Sequence, residues 1–281
     1  MPADPHSRGL WEYRSRADPA SAARVRDLHH YPVGVQGFGV DIGGSGIKGC
    51  LVDLDKGELI GERIRIETPQ PSHPDAIYAV VAEIVDRFGW TERVGVTFPG
   101  VMKDGVAYTA ANVDKSWIGT DLDAGLTALI PGTVETLNDA DAAGLAEMRY
   151  GAGREQEGVV LMLTFGTGIG SALFVDGHLV PNTEFGHIQV DGEDGERRAS
   201  ASAREREDLS YPRWAKRVDR YLDVLEAAVW PDLIIVGGGV SKKAHKWVPL
   251  LSTRTPVVPA ELLNDAGIVG AALAAEEHIG Q

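Results

Sequence analysis

Cysteine is almost absent from this 281-residue chain, which contains Cys50 alone. A single thiol excludes an internal disulfide and any zinc site built from cysteines. No apolar run approaches the roughly 20 residues that span a membrane, and no signal-peptide pattern opens the sequence. Basic residues number 27 against 41 acidic ones, and the formal charge of -14 disfavours general nucleic-acid binding. These features predict a cytoplasmic protein with neither a membrane nor a nucleic-acid partner.

Glycine is abundant by contrast, with 34 residues, and much of it is clustered. The first cluster, at residues 41–48, lies between two apolar runs. Successive backbone N–H groups in a glycine turn can point at phosphate oxygens. Asp41 could hold a divalent cation, usually through water, and Lys48 could neutralise phosphate charge. We interpret the segment as a phosphate-binding turn, to which Gly43, Gly44 and Ser45 also contribute.

Two other glycine motifs fit this segment less well. Residues 44–49 match the dinucleotide pattern Gly-x-Gly-x-x-Gly, but that pattern requires a helix to begin at the glycines. Here an apolar run, a turn at residues 55–57 and another apolar run follow, which predicts hairpin strands. No Gly-Lys-Ser or Gly-Lys-Thr occurs, so a P-loop is excluded. A dinucleotide-dependent oxidoreductase is a weak alternative, and a hairpin without a ligand stays open for this segment alone.

Two further glycine clusters follow along the chain. Residues 163–171 again predict a strand, a glycine turn and a strand, and Thr167 and Gly168 in this turn could bind a phosphate. Gly237, Gly238 and Gly239 end a buried strand and could accept the sugar and base of a nucleotide. Ordinary turn chemistry explains one such cluster more readily than three.

Hydrophobic periodicity alternates between strands and helices from residue 37 onward. The predicted strands are 37–42, 47–54, 58–66, 93–98, 133–137, 159–164, 171–175 and 233–236; the predicted helices are 75–88, 122–129, 140–148, 211–229 and 266–277. Hairpins followed by α/β crossovers occur twice, which predicts a duplicated α/β fold with a cleft between its halves. We expect a small domain at 37–135, with helix 264–281 packing back on it, and a large domain at 136–263. Residues 1–36 read as a weakly structured extension, with a short helix near 20–28, and residues 191–208 as a mobile loop or the start of a charged helix.

The three glycine clusters, in this order, resemble the two phosphate motifs and the adenosine motif of ROK-family sugar kinases. The resemblance covers roughly residues 37–278 and is strongest to the bacterial polyphosphate glucokinases. It implies a two-domain actin-like ATPase (ribonuclease H-like) fold with an interdomain cleft. It also implies a homodimer that phosphorylates the 6-hydroxyl of glucose with polyphosphate, ATP or both. The reaction is expected to use Mg2+, with Asp41 in the outer coordination shell of the ion.

Two alternatives remain within the family. One is an ATP-only hexokinase of broader sugar range that includes mannose. The other is a sugar-responsive regulator without catalysis, which the acidic balance disfavours and for which residues 1–36 are too short to form a helix-turn-helix domain.

Site residues follow from matches to the family motifs. Asn138-Asp139 matches the Asn-Asp segment whose aspartate is the catalytic base, and both residues are expected at the sugar. Helix capping is the competing explanation, since such residues are favoured before a helix. Asp141 is the rival carboxylate, but two positions further along a helix it should point elsewhere.

Glu184-Phe185-Gly186-His187 matches the Glu-x-Gly-His motif, whose acid and imidazole bind sugar hydroxyls. Asn112 and Gly100 fall where the family places sugar contacts. The cysteine cluster that usually follows this histidine and binds zinc is missing, so we expect no zinc site at His187.

The donor is harder to predict. Polyphosphate is a long anion and needs a local basic track on an acidic protein. Lys242, Lys243 and Lys246 are the candidates, with Arg197, Arg198, Arg204 and Arg206 in a second basic segment, and ordinary surface charge explains these residues equally well.

Overall fold

The computed structural model describes residues 34–278, and the predictions for residues 1–33 lie outside this range. The strands are β1 (Gln36–Ile42), β2 (Ile47–Asp53), β3 (Glu58–Ile66), β4 (Val94–Phe98), β5 (Met102–Lys103), β6 (Val106–Ala107), β7 (Val134–Asn138), β8 (Val159–Phe165), β9 (Ile169–Val175), β10 (His178–Val180), β11 (Gln189–Val190), β12 (Glu193–Asp194), β13 (Leu233–Gly237) and β14 (Val257–Pro259). The helices are α1 (Pro74–Phe88), α2 (Leu122–Thr127), α3 (Asp139–Tyr150), α4 (Gly195–Ala199), α5 (Ala201–Arg206), α6 (Tyr211–Val229) and α7 (Ala266–Glu277).

Two five-stranded sheets have the same topology. Their orders are β3-β2-β1-β4-β7 and β10-β9-β8-β13-β14. In each sheet the first three strands form an antiparallel meander. A fourth strand pairs in parallel with the first strand of the meander, and a fifth pairs in parallel with the fourth. The predicted duplicated α/β fold is therefore confirmed.

Helices α3 and α7 lie between the two sheets and pack against each other. Helix α7 contacts β1 and β4, whereas α3 contacts β8 and β9. One hydrophobic core consequently includes buried residues of both sheets, and a second core covers the far face of the second sheet beneath α6. The division at residue 135 stays a prediction, in which α7 belongs with the first sheet.

Glycines allow α7 to lie directly on the first sheet. Gly39 and Gly95 are paired across β1 and β4. A Cβ atom at either would lie within 2 Å of a helix carbonyl oxygen, 1.9 Å from that of Ile268 or 1.8 Å from that of Ala271. Any larger side chain would force the helix off the sheet, because these distances are far below van der Waals contact.

The shortest strands and helices differ from the sequence prediction. Residues 191–208 form β12, α4 and α5, which agrees with the expected start of a charged helix and not with a loop. Strands β5, β6, β10, β11 and β14 were not predicted. Strands of two or three residues are too short to show a period. Within the described range, the structure contains no helix with the length and apolar character of a membrane span.

Candidate active site

A cavity of about 700 Å³ lies between the two sheets, within the range typical of small-molecule sites. The segment after β4, the start of α3, the β8–β9 turn and residues 183–196 form its walls. Eight residues selected from the sequence line it: Gly100, Asn112, Asn138, Asp139, Thr167, Gly168, Glu184 and His187.

Asp139 is the first residue of α3, and Asn138 caps that helix. Asn138 Oδ1 accepts hydrogen bonds from the backbone N–H groups of Ala140 (2.8 Å) and Asp141 (3.1 Å). Its Nδ2 donates to the carbonyl of Gly100 at 3.0 Å. Helix capping therefore accounts for the contacts of Asn138. The Asp139 carboxylate faces the cavity.

The pKa of Asp139 is raised to about 7. Desolvation is the largest cause, and the negative charge of Asp41 adds to it, while backbone N–H groups at the helix start oppose it. The residue keeps an exposed surface because it opens on the cavity, but protein atoms crowd its carboxylate from the other sides. A carboxyl group that titrates near neutral pH is suited to proton transfer.

Asp41 and Lys48 form the polar end of the first hairpin. They are cross-strand partners in β1 and β2, and Lys48 Nζ lies 3.0 Å from Asp41 Oδ2. Thr97 at the end of β4 donates to Asp41 Oδ1 at 2.9 Å. The glycine turn beyond them reaches the cavity wall, because a Cβ atom on Gly44 would lie 3.0 Å from Asn112.

The second and third glycine clusters lie against each other. Gly238 has a left-handed φ of 80°, and a Cβ atom there would lie 2.3 Å from the carbonyl oxygen of Phe165. Gly239 follows Gly238 and lines a second cavity of about 330 Å³, which shares Gly166 and Thr167 with the first. Gly237 ends β13 beside Met162 and Thr164.

His187 and Glu184 sit among other carboxylates. His187 Nε2 is 3.8 Å from Glu184 Oε2, and its Nδ1 is 3.2 Å from Asp194 Oδ2. Burial raises the pKa of Glu184, and the neighbouring His187 opposes that rise. Among residues 34–278, no cluster of three or more His, Cys, Asp and Glu side chains is arranged to hold a metal ion. The absence of zinc stays a prediction.

Glu196 lines the cavity but was missed in the sequence. Its Oε2 accepts the backbone N–H of Ile169 at 3.1 Å, and its Oε1 lies 3.9 Å from His187 Nδ1. A Cβ atom on Gly168 would lie 2.3 Å from this carboxylate. The only sequence signal is an acidic residue shortly after the Glu-x-Gly-His motif, in a segment without periodicity.

The three lysines of the expected donor track do not share one cavity. Lys243 lines the second cavity with Arg204 and Tyr211. Lys246 Nζ and the Arg204 guanidinium lie 5.6 Å and 4.2 Å from the centre of the Tyr211 ring. Lys242 instead lines a different cavity beside Arg63, Glu58, Glu261 and Asp265.

Asp141 points away from the cavity, as the helix geometry predicts. Its side chain is buried, with 2% of its surface exposed, and its Oδ2 accepts the backbone N–H of Asn182 at 2.7 Å. It is therefore less well placed than Asp139 to meet a substrate hydroxyl.

A family model described as ROK family matches residues 37–202, more than half of the chain. The chain belongs to the ROK family. Its sequence is 61% identical over 239 residues to the polyphosphate glucokinase of Mycobacterium tuberculosis, covering 85% of this chain and 90% of the relative. The predicted family resemblance is therefore confirmed.

Two solved structures are similar to this chain. The crystal structure of inorganic polyphosphate/ATP-glucomannokinase from Arthrobacter sp. strain KM has a TM-score of 0.84 and 52% identity, covering 87% of this chain and 99% of that one. A ROK glucokinase from Streptomyces griseus, in complex with glucose and AMPPNP, has a TM-score of 0.70 and 25% identity, covering 86% and 100%. The actin-like ATPase fold expected from the sequence is thereby confirmed.

Proposed function

We propose that this ROK-family chain transfers a phosphoryl group from polyphosphate or ATP to the 6-hydroxyl of glucose, giving glucose 6-phosphate. One observation carries the proposal: a single cavity is lined by the Asp139 carboxylate at the start of α3, by the second glycine turn with Thr167 and Gly168, and by the Glu184–His187 pair. The similarity to polyphosphate glucokinase and to polyphosphate/ATP-glucomannokinase supports both the acceptor and the two donors.

Asp139 serves as the general base in this proposal. Phosphoryl transfer depends mainly on positioning and on electrostatic stabilisation, so the base needs only to accept the hydroxyl proton as the phosphoryl group arrives. Glu184, His187 and Glu196 line the same cavity and offer paired acceptors and a donor to the sugar hydroxyls. Asn112 and Gly100 lie on the separate wall that follows β4, and Thr167 and Gly168 face the donor.

The residues at the end of β1 fit a magnesium ion. Mg2+ usually keeps several waters and is held by one or two carboxylates together with substrate phosphates. Asp41 provides one carboxylate, and its charge already reaches Asp139. When bound, the ion would supply positive charge that neutralises the donor phosphates. Gly43, Gly44, Ser45 and Lys48 would meet the same phosphates, while Gly237, Gly238 and Gly239 would meet the adenosine of ATP.

The direct test is a glucose 6-phosphate assay run in parallel with polyphosphate and with ATP, on glucose and on mannose. Product with either donor on glucose, lost on adding EDTA and restored by Mg2+, supports the proposal. If neither donor yields product with either sugar, the proposed activity is wrong. A cytoplasmic location and a homodimer are further proposals that rest on the family resemblance, and sedimentation analysis tests the latter.

The raised pKa of Asp139 predicts an acidic limb in the pH–rate profile. A general base must be ionised, so kcat/KM for glucose should fall as the pH drops below about 7. A kinetic series between about pH 5.5 and pH 9, at saturating donor, measures this limb. Rates that stay constant down to about pH 5.5 would mean that the base has an ordinary carboxyl pKa or that another group fills the role.

The second cavity predicts which lysines serve polyphosphate. We expect the double variant Lys243→Met, Lys246→Met to raise the KM for polyphosphate about tenfold, with less than about a threefold change for ATP. The reason is that a polymer gains from charges beyond the reacting phosphates, and high salt should shrink the effect by screening them.

Lys242→Met is the matched control, because Lys242 lies in a separate cavity lined by carboxylates. Equal losses for both donors in the double variant would assign the lysines to folding or to adenosine placement. An effect of Lys242→Met as large as that of the double variant would restore the three-lysine track expected from the sequence.

A further inference from the structure

A hydrogen-bonded junction at the edge of the cavity joins Asn182, Asp141 and Met102. Asn182 lies between β10 and the turn that carries Glu184, and its backbone is left-handed, with φ at 61°. Its backbone N–H donates to Asp141 Oδ2 at 2.7 Å. Its side-chain amide pairs with the backbone of Met102, accepting the N–H at 2.8 Å and donating to the carbonyl at 2.7 Å.

Each member of this junction is two residues from a residue that lines the cavity. Asp141 follows Asp139 on α3, and Met102 in β5 follows Gly100. Asn182 itself precedes Glu184. The junction therefore joins three separate walls of the cavity: the wall with the proposed base, the wall after β4 and the wall with the sugar-binding acid.

We propose that Asn182, held by Asp141, is a positioning residue that fixes Glu184 and the Gly100 wall relative to Asp139 around the sugar. The inference rests on the proposed function, because it assigns these walls to the sugar. Asn182 touches no reacting atom in this scheme, and it acts through Glu184 and Gly100.

The surrounding contacts favour positioning over simple packing. Ser171 holds both sequence neighbours of Glu184: its Oγ donates to the carbonyl of Thr183 at 2.7 Å and accepts the N–H of Phe185 at 3.0 Å. Glu184 is thus fixed on both sides while its own side chain stays 39% exposed toward the cavity. Asparagine also adopts a left-handed backbone more readily than most residues, so its type suits this position.

The Asp141 carboxylate can be tested without losing its hydrogen bond. Its Oδ1 is buried and has no hydrogen-bond partner within residues 34–278. Asp141→Asn keeps an acceptor for the Asn182 N–H and should leave activity within about twofold of the unsubstituted protein. Asp141→Ala removes the acceptor. Asn182→Gly keeps the left-handed backbone and its N–H but removes the amide bonds to Met102.

Asp141→Ala and Asn182→Gly should each weaken glucose binding about tenfold, with kcat and the donor KM within about twofold. Titration calorimetry with glucose alone measures this without turnover, so failure of the inference is distinguishable from failure of the proposed activity. Hydrogen exchange at the Met102 amide should accelerate in Asn182→Gly.

Three outcomes would overturn the inference. Glucose affinity could be unchanged in both Asp141→Ala and Asn182→Gly. Glucose and donor constants could instead worsen equally alongside a lower melting temperature, as expected for a purely structural role. Finally, kcat could collapse in Asp141→Asn, which would make Asp141 the base.

Discussion

Asp139→Asn should lower kcat at least about 100-fold while changing the glucose KM by less than about threefold. The amide keeps the shape of the side chain but cannot accept the hydroxyl proton. Folding should survive, because Asn138 rather than Asp139 caps α3. Steady-state kinetics with both donors, together with far-UV circular dichroism, measure the effect.

The same variant has an expected effect on stability. The pKa of Asp139 is about 7 in the folded protein and about 3.9 in an unfolded chain. Ionisation therefore costs folding free energy, and this cost is absent below about pH 4 and fully present above about pH 7. Asp139→Asn should raise the melting temperature at about pH 8 and change it little at about pH 4. Near-normal turnover in a folded Asp139→Asn protein would place the base elsewhere, with Asp141 tested next.

Glu147→Ala should remove about 3–5 kcal/mol of unfolding free energy, the largest stability loss we expect. Glu147 is fully buried at the end of α3. Its Oε2 accepts the N–H groups of Ala152 (2.9 Å) and Glu261 (3.1 Å), and its Oε1 accepts that of Leu262 at 2.8 Å. Alanine would leave three backbone donors without this partner, and each such group costs about 1–3 kcal/mol when buried.

Urea denaturation of the two proteins measures the difference. Glu147→Gln is the matched control: it preserves volume and one acceptor oxygen, so its loss should be intermediate. A loss below about 1 kcal/mol for Glu147→Ala would mean that water or a backbone shift satisfies these donors.

The sequence predicted those parts of the site that depend on local chemistry. The second glycine hairpin, the Asn138-Asp139 helix start and the Glu184–His187 spacing are contained within short segments, and the structure brings members of each to one cavity. Glu147 and Asn182 could not be found in this way. Glu147 binds backbone N–H groups 114 and 115 residues away, and Asn182 binds Met102 and Asp141, which are 80 and 41 residues away. No local pattern encodes such contacts.

The three lysines of the expected donor track show another feature that the sequence pattern could not predict. Lys242 and Lys243 are adjacent in sequence, but the 3-10 segment Gly239–Lys246 is kinked at Lys243, where φ is -115° and ψ is 17°. Adjacent charges therefore reached different cavities, although the sequence places them in one cluster.

The close packing of α7 on the glycines of β1 and β4 has a consequence for folding during synthesis on the ribosome. This helix is the last described element to be synthesised, yet it covers Gly39 and Gly95 on strands made far earlier. At roughly 5–20 residues per second, those strands wait on the order of ten seconds for the helix that buries them. During that interval the nascent first sheet lacks the helix that covers it, so its native packing is completed only when α7 reaches β1 and β4.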